Sequence, residues 1–105
     1  MQTAKINNWF FSYSPRENTF GLIGTVYGHP QIGDGKFVRT SAITVVKHGL
    51  IVTKNTEYTP LLFDNGMMPT YENNGIAGTV RDMLNIIYGN GFNIEPILEE
   101  LKINE

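Results

Sequence analysis

The sequence predicts an α+β fold: an N-terminal antiparallel β-meander of about four to five strands, followed by two short C-terminal helices. Three observations carry this. Residues 6–59 hold aromatic and β-branched runs separated by Gly, Pro, Asn and Asp. Residues 79–102 switch to a helical period. Residues 60–78 follow neither period and read as a connection. The 105 residues are near the commonest size for one domain. They divide into a β-rich part over 1–59, the connection over 60–78 and a helical part over 79–105.

The first predicted strand is INNWFFSY, residues 6–13, closed by a turn at Ser14-Pro15-Arg16-Glu17-Asn18. The second covers residues 19–28, with Phe20, Leu22 and Val26 on one face by the period of two. Gly21, Gly24 and Gly28 interrupt it and point to a bulge, strong curvature or close approach of another backbone. After the loop HPQIGDG, residues 36–46 read as one long central strand, apolar on both faces. Lys47-His48-Gly49 suits a three-residue hairpin loop. Residues 50–54 then return antiparallel, and Pro60 ends a last short strand or leaves it at an edge.

In the connection, Leu61, Leu62, Phe63, Met67 and Met68 are expected to plug the core. Val80, Met83, Leu84, Ile87 and Tyr88 form an amphipathic helical stripe, which predicts a helix over 79–88. Thr79 is its expected N-cap, in a box with Asp82, and Gly89 its terminator. A second helix is predicted over 94–102, with its stripe at Ile94, Ile97, Leu98 and Leu101. Helices this short need packing partners. The helical pair is therefore expected to join copies into a homo-oligomer.

Composition excludes several function classes. At 41% hydrophobic and 17% charged the chain is not of the disordered type. It has no cysteine, which excludes disulfides, thiolate catalysis and thiolate-bound zinc, and fits the cytoplasm. No apolar run approaches a membrane span, and the first residues lack the layout of a signal peptide. Residues 1–59 carry six basic and three acidic side chains; residues 60–105 carry two and seven. The halves are thus net +3 and −5. Few cations are available to displace counterions, which argues against a duplex nucleic acid partner. No paired-carboxylate, zinc-protease, nucleophile-elbow or P-loop pattern is present, and two histidines in separate loops define no metal site. No catalytic residue, metal or cofactor is assigned.

Two constellations suit an anionic ligand. Tyr27, His29, Phe37, Arg39 and Ser41 fall on two adjacent strands, where a ring could stack on a base while the guanidinium clamps a phosphate. The structural alternative makes Tyr27 and Phe37 cross-strand core aromatics and pairs Arg39 with Asp34 or Glu57. Thr79 and Arg81 follow glycines at a predicted helix N-terminus, whose free N–H groups favour anions. There the alternative is an ordinary capped helix with a surface arginine.

The run GTVYGHPQIGDGKFVRTSAI, Gly24 to Ile43, resembles a core of small phage and prophage proteins. With the order of β-rich half and two helices, the chain is similar to the Thoeris anti-defence proteins, which sequester cyclic nucleotide immune signals. The resemblance implies a non-enzymatic, homo-oligomeric sponge with pockets at subunit boundaries. A second expectation rests on the acidic C-terminal half, with Glu95, Glu99, Glu100 and Glu105. It makes the chain an inhibitor or adaptor occupying a basic or nucleic-acid-binding surface of a host protein. A nucleotide hydrolase with His29 or His48 as base is the third.

Overall fold

The computed structural model describes residues 1–89. It is an α+β fold with six strands, β1 (Gln2–Ser14), β2 (Thr19–Tyr27), β3 (Lys36–Arg39), β4 (Ile43–Lys47), β5 (Leu50–Thr53) and β6 (Thr56–Pro60). A 3-10 turn at Asn65–Met67 leads into helix α1 (Met68–Asn73), and α2 (Ala77–Tyr88) follows. The strands form one sheet in the order β3-β2-β1-β6-β5-β4. The predicted helix over 94–102, and the assembly surface assigned to the helical pair through it, fall outside the described residues.

The sheet is mixed, which corrects the antiparallel meander. Every hairpin neighbour pairs antiparallel, but β1 and β6 run parallel, from Gln2 opposite Thr56 to Ile6 opposite Pro60. Pro60 ends β6, which lies inside the sheet rather than at its edge.

The expected central strand over 36–46 is the largest correction. It breaks into β3 and β4, which lie at opposite edges of the sheet. Thr40 is the reason. Its amide donates to Leu22 O (2.8 Å), and Leu22 N donates to the Thr40 hydroxyl (3.0 Å) rather than to a main-chain carbonyl. The side chain takes over the ladder, and the main chain is free to turn away. A flat six-stranded sheet would hold its edge strands about 24 Å apart. The link from Arg39 to Ile43 can span at most about 14 Å. The sheet must therefore curl, and β4 does approach β2.

A bulge sets which residues enter the concave face. Asn7 opposes Thr25 and Phe10 opposes Ile23, so Asn8 and Trp9 together face Gly24. Asn8 adopts φ 48° to make the extra step. Before it Ala4 and Ile6 are buried; after it Trp9 and Phe11 are. A Cβ on Gly24 would lie 2.9 Å from Asn7 O, Ile6 Cγ1 and Trp9 Cβ, so only glycine fits opposite the bulge. Phe63 completes an edge-on aromatic cluster, 5.0 Å from Trp9, which is 5.1 Å from Phe11. On β2 the expected face holds: Leu22 and Val26 are buried and Phe20 packs against the core.

The connection is more ordered than its sequence suggests. Asp64 caps the 3-10 turn through Gly66 N (3.0 Å). Helix α1 ends in a Schellman motif: Gly75 has φ 73°, its N–H donates to Glu72 O, and Ile76 N–H donates to Tyr71 O. Phe63 and Met68 are buried and Met67 packs against the core, but Leu61 and Leu62 are 40% and 45% exposed. The Tyr71 hydroxyl donates to Phe11 O (2.8 Å) and accepts from Phe11 N (2.7 Å). It stands in for a neighbouring strand beyond the end of β6.

Helix α2 buries Val80, Leu84 and Ile87 as its stripe predicts. Its N-cap is Ile76, not Thr79, because the Schellman turn of α1 already delivers the chain in helical register. Thr79 is exposed, and no side chain caps the helix, so the expected capping box does not form. Gly89 ends the helix at φ 105° and ψ 159°, a region open to glycine. The β4–β5 hairpin has two loop residues, His48 and Gly49, since Lys47 pairs directly with Leu50. Gly49 N donates to Ile87 O (2.6 Å), tying the hairpin to the end of α2.

Gly24→Ala is expected to cost about 1–3 kcal/mol in urea unfolding, the scale of overpacking. Gly33→Ala, where the nearest atom to a new Cβ is Lys36 Cε at 3.7 Å, should change stability little. A second expectation concerns three phenols. Burial pushes Tyr71 well above the ordinary 10.0, with Phe11 opposing and Asp64 adding. Burial pushes Tyr88 up to about 12 and also raises Tyr58. Below 10 these phenols are protonated in both states and their contribution to stability is whole. As pH rises past 10 the unfolded chain ionises first, so stability falls until the folded phenols ionise too. Tyr71→Phe should lower stability at neutral pH by about 3 kcal/mol, leaving both Phe11 main-chain groups without partners. It should also flatten the alkaline loss, read by urea unfolding over a pH series.

Candidate functional site

The curl that joins β3 to β4 leaves an open cavity of about 890 Å³. Its walls come from four places. The start of β1 gives Gln2, and the β2–β3 loop gives His29, Gln31 and Ile32. The end of β3 and the link after it give Val38, Arg39, Thr40 and Ser41. The β5–β6 turn gives Thr53, Lys54, Asn55 and Thr56, with Tyr58 beyond it. The volume lies in the range of small-molecule sites.

Local sequence explains each wall. Gly21 has no Cβ to collide with Ser12 Oγ, 2.9 Å away from where it would be, or with Thr40 O at 3.3 Å. The 40–41 main chain can therefore lie close against β2. In the β2–β3 loop, the Asp34 carboxylate accepts from Gly28 N (2.7 Å) and closes the turn. Gly35, at φ 81°, completes the turn just before β3, as the Asp-Gly signal predicts. Thr53 Oγ1 donates to Thr56 O (3.3 Å), which fixes the tight β5–β6 turn.

The electrostatics are one-sided. Arg39 and Lys54 line the cavity, and none of its fourteen lining residues is acidic. Among the described residues neither cation is in an ion pair. Asp34 is engaged with Gly28, so the expected alternative, Arg39 held by Asp34 or Glu57, does not form. Hydroxyls of Ser41 and Thr56 and amides of Gln2, Gln31 and Asn55 supply neutral donors, while those of Thr40 and Thr53 already donate to Ser41 O (2.8 Å) and Thr56 O (3.3 Å).

His29 has a defined role. Its Nδ1 accepts from Gln31 N (3.0 Å). In the neutral ring the proton then sits on Nε2, 3.3 Å from Thr56 Oγ1. His29 donates toward Thr56 and cannot also take its proton, so the pair is not a base with its nucleophile. His48 lies apart, exposed on the β4–β5 hairpin. Among the described residues no group of His, Asp or Glu could hold a metal ion. No helix among them is long and apolar enough to cross a membrane.

Of the sequence-predicted residues, His29, Arg39 and Ser41 meet in this cavity. Tyr27 lines a separate, smaller pocket of about 290 Å³ with Lys5 and Thr59. Phe37 is 70% exposed on the outer face and is not a core aromatic. Thr79 and Arg81 do not line the cavity; Arg81 approaches Glu72 at 3.9 Å, an exposed pair of little energetic weight. Sequence reasoning missed Lys54, Thr56, Gln31 and Thr40. The polar turn TKNT between two apolar strands was the available signal, but nothing local says that it faces residue 39. Comparison with family models, curated proteins and solved structures gives no match.

The tautomer can be read directly. Long-range ¹⁵N–¹H correlation of neutral His29 should show a protonated Nε2 and an unprotonated Nδ1. The opposite assignment would mean that Gln31 N does not donate to the ring.

Proposed function

We propose that the chain is a non-enzymatic binding protein that sequesters a phosphate-bearing, nucleotide-like ligand in this cavity. The observation that supports it is the pairing of two cations, Arg39 and Lys54, with a wall that carries no carboxylate. A charge left unpaired on a cavity wall gains most from a bound anion, and an arginine fork matches a phosphate edge. The donors around it suit sugar hydroxyls and base edges. The resemblance of Gly24–Ile43 to the Thoeris anti-defence proteins leads to the same class, a cyclic nucleotide signal held in the cytoplasm by a homo-oligomer. His29 favours binding over hydrolysis, because its free proton points into Thr56.

Isothermal titration with cyclic nucleotides and ADP-ribose derivatives tests this reading. Binding is expected, with ligand recovered chemically unchanged and affinity falling as salt rises. Arg39→Ala and Lys54→Ala should each weaken it by about 1.5–3 kcal/mol, the scale of a charged hydrogen bond. Arg81→Ala should leave it near the wild-type value. No heat with any of these ligands at micromolar protein, or equal binding by the Arg39 and Lys54 variants, would remove the proposal.

A further inference from the structure

The outer edge of β3 is a second feature, and the anionic-ligand cavity does not account for it. Strand β3 is the end of the sheet. Its ladder to β2 is anchored at both ends, by Gly35 N donating to Val26 O and Thr40 N donating to Leu22 O, both 2.8 Å. Between them Lys36 opposes Val26 and Val38 opposes Gly24. In an antiparallel pair the main-chain groups alternate in direction. Val38 and Thr40 therefore turn theirs toward β2, the Lys36 amide donates to Gly33 O (3.4 Å), and Phe37 and Arg39 turn theirs away. Among the described residues, the main chain of Phe37 and Arg39 meets no further hydrogen-bond partner.

The side chains on this edge are unusual for a strand end exposed to water. Edges are ordinarily blunted by charge, and Lys36 and Arg39 do that against a second copy of the same edge. Yet the residue between them is Phe37, 70% exposed, and Tyr27 on the neighbouring strand is 39% exposed on the same outer face. Blunting an edge does not use an exposed phenylalanine; a cross-strand contact with an added strand would. Neither cation is matched by a carboxylate of this chain among the described residues.

We infer that β3 is a docking edge for an extended acidic peptide, which adds to the sheet antiparallel as a seventh strand. Phe37 and Arg39 would exchange main-chain hydrogen bonds with alternate peptide residues. Those residues share the outer face, with an apolar side chain against Phe37 and a carboxylate against Arg39. Arg39 also lines the cavity, so an anionic ligand there and the peptide compete for it. Phe37 serves the peptide alone.

The test uses the whole chain and a fluorescent peptide, Thr-Glu-Thr-Val-Thr-Glu-Thr, in anisotropy titrations. Saturable binding is expected, weakening as salt rises, and the same peptide with Lys for Glu should not bind. Phe37→Ser should weaken binding about tenfold or more, the effect of losing a central apolar contact. The fold should be unaffected, since the Phe37 ring lies outside the core, and circular dichroism checks this. N-methylation separates strand pairing from charge attraction. Methyl groups on the Glu and Val nitrogens, which face β3, should abolish binding; methyl groups on the Thr nitrogens should not. Equal binding of the Glu and Lys peptides, of wild type and Phe37→Ser, or of the two methylated peptides would each overturn the inference. A wild-type dimer that Phe37→Ser dissociates, seen by sedimentation, would overturn it in favour of self-pairing.

Discussion

Thr40 exchanges hydrogen bonds with Leu22 through its own amide and its hydroxyl, and three residues later the chain has to begin a strand at the far edge of the sheet. The short link cannot be satisfied by a flat sheet, whose edges would stand too far apart. Curvature is thus imposed by covalent length, not left to strand twist alone. Both the core and the cavity follow from it. The concave side closes around Trp9, Phe11 and Phe63, which pack edge to face. The gap that the curl leaves open brings Arg39 from one edge to the neighbourhood of Lys54, fifteen positions later in sequence.

Strand β1 holds the two halves together with three kinds of partner in succession. Its first residues pair with β6, Trp9 exchanges hydrogen bonds with Leu62 and Asp64 of the connection, and Phe11 is held by the Tyr71 hydroxyl. Buried main-chain groups need partners, and here a strand, a loop and a side chain share the task. The bulge at Asn8 is what makes this sequence of partners compatible with one hydrophobic face. Without it, Trp9 and Phe11 would point to the side opposite Ala4 and Ile6.

Much of this was legible locally. The stripe of α2, the face of β2, the Asp34-Gly35 turn and the glycine signal opposite the bulge all rest on near neighbours, and all appear. What was not legible depends on distant partners. Residues 36–46 have the composition of one strand, and only the Leu22–Thr40 exchange shows where it breaks. The parallel β1–β6 pair joins residues about fifty positions apart, with no turn signal to announce it. Thr79 looks like a cap in isolation, but the preceding helix ends in a turn that sets the cap at Ile76. For the cavity, His29, Arg39 and Ser41 could be picked by residue type. Lys54 and Thr56 could not, because their facing wall exists only after the sheet curls.

The parallel pair also has a consequence for how the chain is made. Gln2 waits for Thr56, so one side of β1 stays open during synthesis until more than half of the described chain has followed. Pairings of such long sequence separation form late and slowly. Meanwhile β1 and β2 can close their hairpin at once, which presents Trp9 and Phe11 on an unfinished sheet. Synthesis speed through residues 15–60, rather than the stability of the finished fold, then sets how long that aromatic face stays open to other nascent chains.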